Sequence, residues 1–351
     1  MTPAPSRRRS GLHRRAACCA LVLGAVLVGG ARAQVPDPVP APRPGTVDML
    51  SAAYATRLAP AAQAFARASA ELTGAVARWC EGEAAQGAAG LEAARAQWLR
   101  TTAAWDRLAG VAVGPLVKRR ALTALDFNPT RPATIERAIK VAPSGPEAME
   151  RIGTPAKGLP ALEWLLWTHA PQPGSPGCRY TREVAADLQR EAGAIAADFA
   201  QQAATPWADD HTKTYLALQE LINQWLGGVE RLRWTQIDKP LKAAETGSRP
   251  PAFQRAASGA TGATWAGQWE ALRGLGGPVA DALRARGQGP LAERLGRTLA
   301  QADAAMAKAD PAQPATLAPA VRELGALKKL IEADVAPALD VTIGFSDGDG
   351  D

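Results

Sequence analysis

The residues with most chemical promise lie at the start of one helix. The segment Gly158-Leu-Pro-Ala-Leu-Glu163-Trp-Leu-Leu-Trp167 opens with glycine and proline, a favoured helix beginning because the first turn needs no proline N–H. Residues three apart on a helix share a face. Pro160 shares that face with Glu163 and can neither ligate nor donate. Glu163 then has two readings: a structural carboxylate, paired with an Arg or capping a helix end, or a residue that contacts a ligand. A second acidic set is Asp347, Asp349 and Asp351. Spaced two apart, they present carboxylates on one side of an extended segment. They resemble the opening of an EF-hand loop, without the Glu that closes one. They are either a solvated tail or part of an anionic site.

Aromatic residues accompany the carboxylate. Trp98, Trp105, Trp164 and Trp167 recur at helical spacings and read first as core. Trp105, Asp106 and Arg107, with Trp164 and Trp167, are the candidates to rim a pocket where two helices meet, and Arg179 beside Cys178 could join them. Other chemistries are excluded by absence. There is no His-Glu-x-x-His, Gly-x-Ser-x-Gly, P-loop or dinucleotide fingerprint. His169 and His211 have no second His or Cys at ligand spacing, which argues against a structural zinc site.

These residues need helices to position them. Tyr54, Leu58, Phe65, Leu72, Val76 and Trp79 recur at spacings of three, four and seven, which predicts a long helix from Thr46. A second helix carries Leu91, Ala94, Trp98, Trp105 and Leu108 and breaks at Gly114-Pro115. Asn128 to Gly158 is less regular, with one short helical piece around Ile135–Ile139. Helices follow over 158–167, 179–204 and 211–239, the last stopped by Pro240. After a Gly/Pro-rich connector, 247–262, three more run over 264–286, 291–308 and 317–339. No sustained period-two segment occurs. The fold class is all-α, expected as two packed antiparallel helical bundles, the first from 46 to 205 and the second from 206 to 351.

Residues 1–33 read as a cleavable leader: a basic stretch from Arg7 to Arg15, a short apolar run, and Ala31-Arg32-Ala33 as the cleavage site. A Pro-rich linker, 34–45, follows. The leader holds six Arg and no acid, so its removal takes the formal net charge from +6 to about zero. The basic pI then belongs to the leader, and nucleic acid is excluded as a partner. No later stretch is apolar for long enough to span a membrane. Of four Cys, only Cys80 and Cys178 remain. In an oxidising compartment a single pair is most simply a disulfide.

The segment 158–167 resembles the signature of the imelysin family, roughly Gly-x-His-x-x-Glu followed by an apolar aromatic run. Gly158, Glu163 and Trp-Leu-Leu-Trp match, and Pro160 stands where that family has its His. Trp98-Leu-Arg-Thr-Thr-Ala-Ala-Trp105 with Val113-Gly114-Pro115 looks like the family's first motif, with Ala109 near the position of an expected Glu. Gly344-Phe345-Ser-Asp347-Gly-Asp349-Gly-Asp351 is similar to its closing segment. The resemblance covers about residues 46–351. It implies an exported, periplasmic helical protein grouped with iron uptake, holding a metal ion through its His and Glu.

With two expected ligands replaced, Glu163 lacks its partners, and one carboxylate binds a transition metal poorly. The cofactor is therefore a metal ion, iron or calcium, or none. The expectation is a binding or accessory protein of a metal-uptake system, without catalysis, whose partner is an envelope protein or uptake component. The alternatives are a module that docks a redox partner in the envelope, and a metallopeptidase.

Overall fold

Hydrophobic spacing and proline placement together set the helix order. The computed structural model describes residues 41–82, 87–247 and 249–344. The leader, residues 34–40 of the linker, and Asp347, Asp349 and Asp351 lie outside them. The stripe beginning at Tyr54 forms one helical run: α1 (Thr46–Ala53), a π-helical turn (Tyr54–Leu58) and α2 (Ala59–Glu81). All six of its predicted core residues are buried. α3 (Gly87–Ala109) returns along α2. The short helices α4 (Pro115–Lys118), α5 (Ala121–Leu125), α6 (Pro132–Val141), α7 (Pro146–Glu150) and α8 (Gly158–Glu163) then carry the chain to α9 (Pro176–Ala203). α9 also packs on α2. The Cys80–Cys178 disulfide ties the end of α2 to the start of α9, with Cα atoms 5.4 Å apart.

The remaining helices are α10 (His211–Glu230), α11 (Lys239–Glu245), α12 (Thr261–Gly274), α13 (Gly276–Ala285), α14 (Gly289–Met306), α15 (Leu317–Leu330) and α16 (Ala336–Ala338). No strand occurs among the described residues. The fold is all-α. α12 lies along α3, and small residues set their approach. A Cβ on Gly110 would stand 2.8 Å from the Gln268 carbonyl, and one on Gly228 of α10 would collide with the Gly110 carbonyl.

Two expectations need correction. Pro240 does not stop the helix that begins at His211. The chain passes through a π-helical segment, Arg231–Asp238, and continues as α11 to Glu245. The same arrangement recurs: π turns at Tyr54–Leu58 and Ile331–Val335 end just before Pro60 and Pro337. In each, the residue before the proline bonds five residues back, Ala59 to Tyr54, Lys239 to Trp234 and Ala336 to Ile331. Proline lacks an N–H, and its ring clashes with the carbonyl four residues back. Widening the preceding turn by one residue relieves both problems, so the helical run survives. The second correction is that 264–286 is two helices. Gly274-Leu-Gly-Gly-Pro278 interrupts it, and Pro278 falls in the first turn of α13, where it is tolerated.

Candidate functional site

Gly158 fixes the geometry of the signature helix. Its φ is +77°, and a Cβ there would collide with the carbonyl of Leu125. Only glycine allows this left-handed approach without strain. The contact brings the end of α5, and with it Asp126, against the start of α8. One turn on, Glu163 points inward and is 6% exposed. A π turn, Trp164–Thr168, follows it directly.

Four further elements close around these two acids. Thr102 and Asp106 share a face of α3, as i, i+4 residues do, and both are buried. Arg231 and Gln236 come from the π segment after α10. Gln254, Arg255 and Ser258 come from the connector before α12, and Thr264, Trp265 and Gln268 from α12 itself. Oε1 of Glu163 accepts from the backbone N–H of Ser258 (3.0 Å) and from its hydroxyl (2.7 Å). Nη2 of Arg255 donates to Oδ1 of Asp126 at 2.6 Å. Its Nη1 lies 4.0 Å from Oε2 of Glu163. Asp126 also accepts from Gln254 (2.8 Å) and, on its other oxygen, from the indole of Trp105 (3.0 Å). Gln236 in turn donates to Gln254. The guanidinium of Arg255 sits 5.3 Å from the Trp98 ring centre.

Burial governs the charges. The Asp106 carboxyl is pushed up to about 7, chiefly by desolvation; Arg255 opposes the shift and Asp126 adds to it. Arg231 is drawn down to about 10 by burial, opposed by Asp126, and donates to the carbonyls of Ala109 and Gly110. Oδ2 of Asp106, Nε and Nη1 of Arg255, Oε1 of Gln236, Nε1 of Trp265 and the hydroxyls of Thr102 and Thr264 have no protein hydrogen-bond partner. Unpaired buried polar atoms are rare in folded proteins and mark places where water or a ligand completes the set.

The sequence candidates distribute unevenly. Glu163, Asp106 and Trp105 belong to this cluster. Gly158 shapes it, and Pro160 is buried in the first turn of α8. Trp167 packs edge-on against Trp98 at 5.0 Å, behind the cluster. Trp164 stacks on exposed His169 at 4.8 Å. Arg107 points to the surface, where it pairs with Glu270 at 2.7 Å. Arg179 bonds the Gly174 carbonyl beside the disulfide, and His211 begins α10. Asp126, Arg231, Gln254, Arg255 and Ser258 carry no motif and were not among the candidates. The one available signal is length. The connector from α11 to α12 spans residues 246–260, longer than the about 2–8 residues usual between packed helices, and long loops are often functional.

A metal held by a His and a Glu does not fit these residues. Pro160 offers no donor. Ala109 is apolar, and its carbonyl is taken by Arg231. Glu163 is engaged by Ser258 and faces a cation. Among the described residues, no three of His, Cys, Asp and Glu converge closely enough to hold an ion.

Comparison with known proteins agrees with the motif reading. The Imelysin family profile matches residues 50–335. An imelysin-like protein from Psychrobacter arcticum has the same fold, with a TM-score of 0.70 at 21% identity over 86% of this chain and 97% of that one. A protein named as a putative iron-regulated protein A precursor, from Parabacteroides distasonis, aligns with a TM-score of 0.59 at 12% identity, over 86% of this chain and 96% of its own. No curated protein matches. The chain belongs to the imelysin family.

Proposed function

We propose that this chain is an exported, non-catalytic binding or accessory protein of the cell envelope that serves a metal-uptake system, iron foremost. The observation that carries the non-catalytic reading is the engagement of Glu163 by Ser258 and Arg255 beside a proline at position 160. A metallopeptidase needs a metal-bound water and a carboxylate free to take its proton. Here Oε1 of Glu163 is held by two donors and Oε2 faces the Arg255 guanidinium. The link to iron rests on the family and on the name of the Parabacteroides protein. Export to the periplasm rests on the leader-like residues 1–33 and on the disulfide, which persists in an oxidising compartment.

The test is genetic. A strain lacking this protein is expected to match its parent in metal-replete medium and to grow more slowly under an iron chelator. A copy with intact residues 126, 163 and 255 should restore growth. Equal growth of both strains under iron, zinc and manganese limitation would sink the uptake role.

A further inference from the structure

We propose that residues 249–260 form a lid, a surface connector latched to the polar centre by Gln254, Arg255 and Ser258, which opens while the helices around it stay folded. The lid rests on the geometry of the connector and stands whether or not the chain serves metal uptake.

The connector is held differently from the helices, which bury long apolar stripes. It gives the core little apolar surface: Ala260 is buried where α12 begins, and half-buried Phe253 meets Trp265 edge-on at 5.1 Å. Ala252, Ala256, Ala257 and Gly259 face solvent. The inward side chains are polar, and they latch onto two elements. Arg255 and Gln254 donate to Asp126 at the end of α5, at 2.6 and 2.8 Å. Ser258 donates to Glu163 on α8 through its backbone N–H at 3.0 Å and its hydroxyl at 2.7 Å. Gln254 also accepts from Gln236 at 2.8 Å. Segments with few buried apolar contacts lie at the low end of local stability. A hinge is present as well: Gly259 has a φ of +71°, and open space surrounds the place of a Cβ there.

The closed lid also leaves polar groups unsatisfied. Arg255 keeps a φ of +65°, a left-handed conformation that a non-glycine residue holds only where its surroundings over-determine it. Its Nε and Nη1 have no hydrogen-bond partner among the described residues, and neither do Oε1 of Gln236 and Nε1 of Trp265. Those last two residues touch the lid directly, through Gln254 and Phe253. Opening lets water reach these atoms and relaxes the backbone at Arg255. Both gains offset the bonds to Asp126 and Glu163 that opening breaks. A segment balanced in this way opens at much lower cost than the whole fold, which is the property of a lid over a site.

The experiment is limited trypsin digestion of the purified mature protein, with amide hydrogen exchange of the same sample. Trypsin must take an arginine side chain into its specificity pocket, and that of Arg255 is not exposed. Cleavage between Arg255 and Ala256 therefore requires the lid to open, whereas exposed Lys308 in the turn after α14 needs no such step. Asp126→Asn removes the anion of the latch and should speed the cut after Arg255 about tenfold relative to the cut after Lys308, because proteolysis follows the open population. Should Asp126→Asn not fold, Ser258→Ala carries the same test, since it loosens the bond to Glu163 and keeps the ion pair. In the native protein, the Ser258 and Ala260 amides are hydrogen-bonded to Glu163 and to the Arg255 carbonyl. They should nevertheless exchange at least about tenfold faster than the amides in the middle of α12. Exchange of those two amides no faster than that of α12 would overturn the lid. So would a cut after Arg255 that neither variant accelerates relative to the cut after Lys308.

Discussion

Asp106 gives the sharpest stability prediction, because its environment makes folding pH-dependent in a definite direction. Burial in α3 raises its carboxyl from 3.8 to about 7. The folded protein therefore holds a proton that the unfolded chain has already released between about pH 4 and pH 7. Stability from this group is full below the unfolded value, falls as pH rises across that window, and levels off above about 7. Between pH 5 and pH 8 the folded state keeps, over about two pH units, a proton that the unfolded chain lacks, which costs about 3 kcal/mol at about 1.4 kcal/mol per unit. Asp106→Asn keeps the shape and removes the titration. The assay is urea unfolding of both proteins at pH 5, 6, 7 and 8, read by tryptophan fluorescence, with the difference in unfolding free energy plotted against pH. All other titrating groups largely cancel in that difference. The variant should gain about 3 kcal/mol on the native protein from pH 5 to pH 8, most of it before pH 7. A difference that stays flat would refute the reasoning. It would mean that Asp106 is ionised in the folded protein throughout, as a full partner of Arg255.

Two further outcomes follow from the backbone. Gly158→Ala forces a left-handed alanine against the Leu125 carbonyl and should cost about 2–4 kcal/mol in the same unfolding assay; a loss below about 0.5 kcal/mol would mean that α5 moves away freely. Replacing both Cys80 and Cys178 by serine opens a loop with a sequence separation of 98 and should lower stability by about 4–5 kcal/mol in the chain-entropy picture, while the native protein, denatured without reductant, should show no reactive thiol from this pair.

Much of the fold was legible because it rests on local rules. The Tyr54 stripe, the Gly114-Pro115 break and the Gly158 helix start all follow from spacing or from one residue's backbone. Pro240 lies inside a helical run because a proline's effect depends on the turn before it. Nothing in the local sequence around Arg231–Asp238 marks that turn as π-helical. The site was legible only in its sequence-local half. Glu163, Trp105 and Asp106 sit in recognisable helices, whereas Asp126, Arg255 and Ser258 belong to a helix end and a connector with no periodicity. Their meaning depends on which distant carboxylate they meet. The bond between Ser258 and Glu163 joins residues 95 positions apart, and that between Arg255 and Asp126 joins residues 129 apart.

The cluster also bears on why the signature survives without its histidine. Had Pro160 merely ended a metal site, Glu163 would be a buried carboxylate with no counter-charge, and substitution by a neutral residue would stabilise the fold. Instead Glu163 is held by Ser258 and faces Arg255, and Arg255 is held by Asp126, whose helix end is docked by Gly158. Glu163 and Arg255 are buried and Asp126 and Ser258 half-buried, and removing a charged member leaves its partner uncompensated, at several kcal/mol. A well-packed apolar core would be at least as stable as this arrangement, so stability alone does not account for a strained arginine and seven unpartnered polar atoms at one place. What such a cluster does supply is a fixed, nearly charge-balanced polar centre where α3, α8, α12 and the connector meet. Within it burial pushes the carboxyl of Asp106 up to about 7, so the charge of the centre follows the proton on that residue.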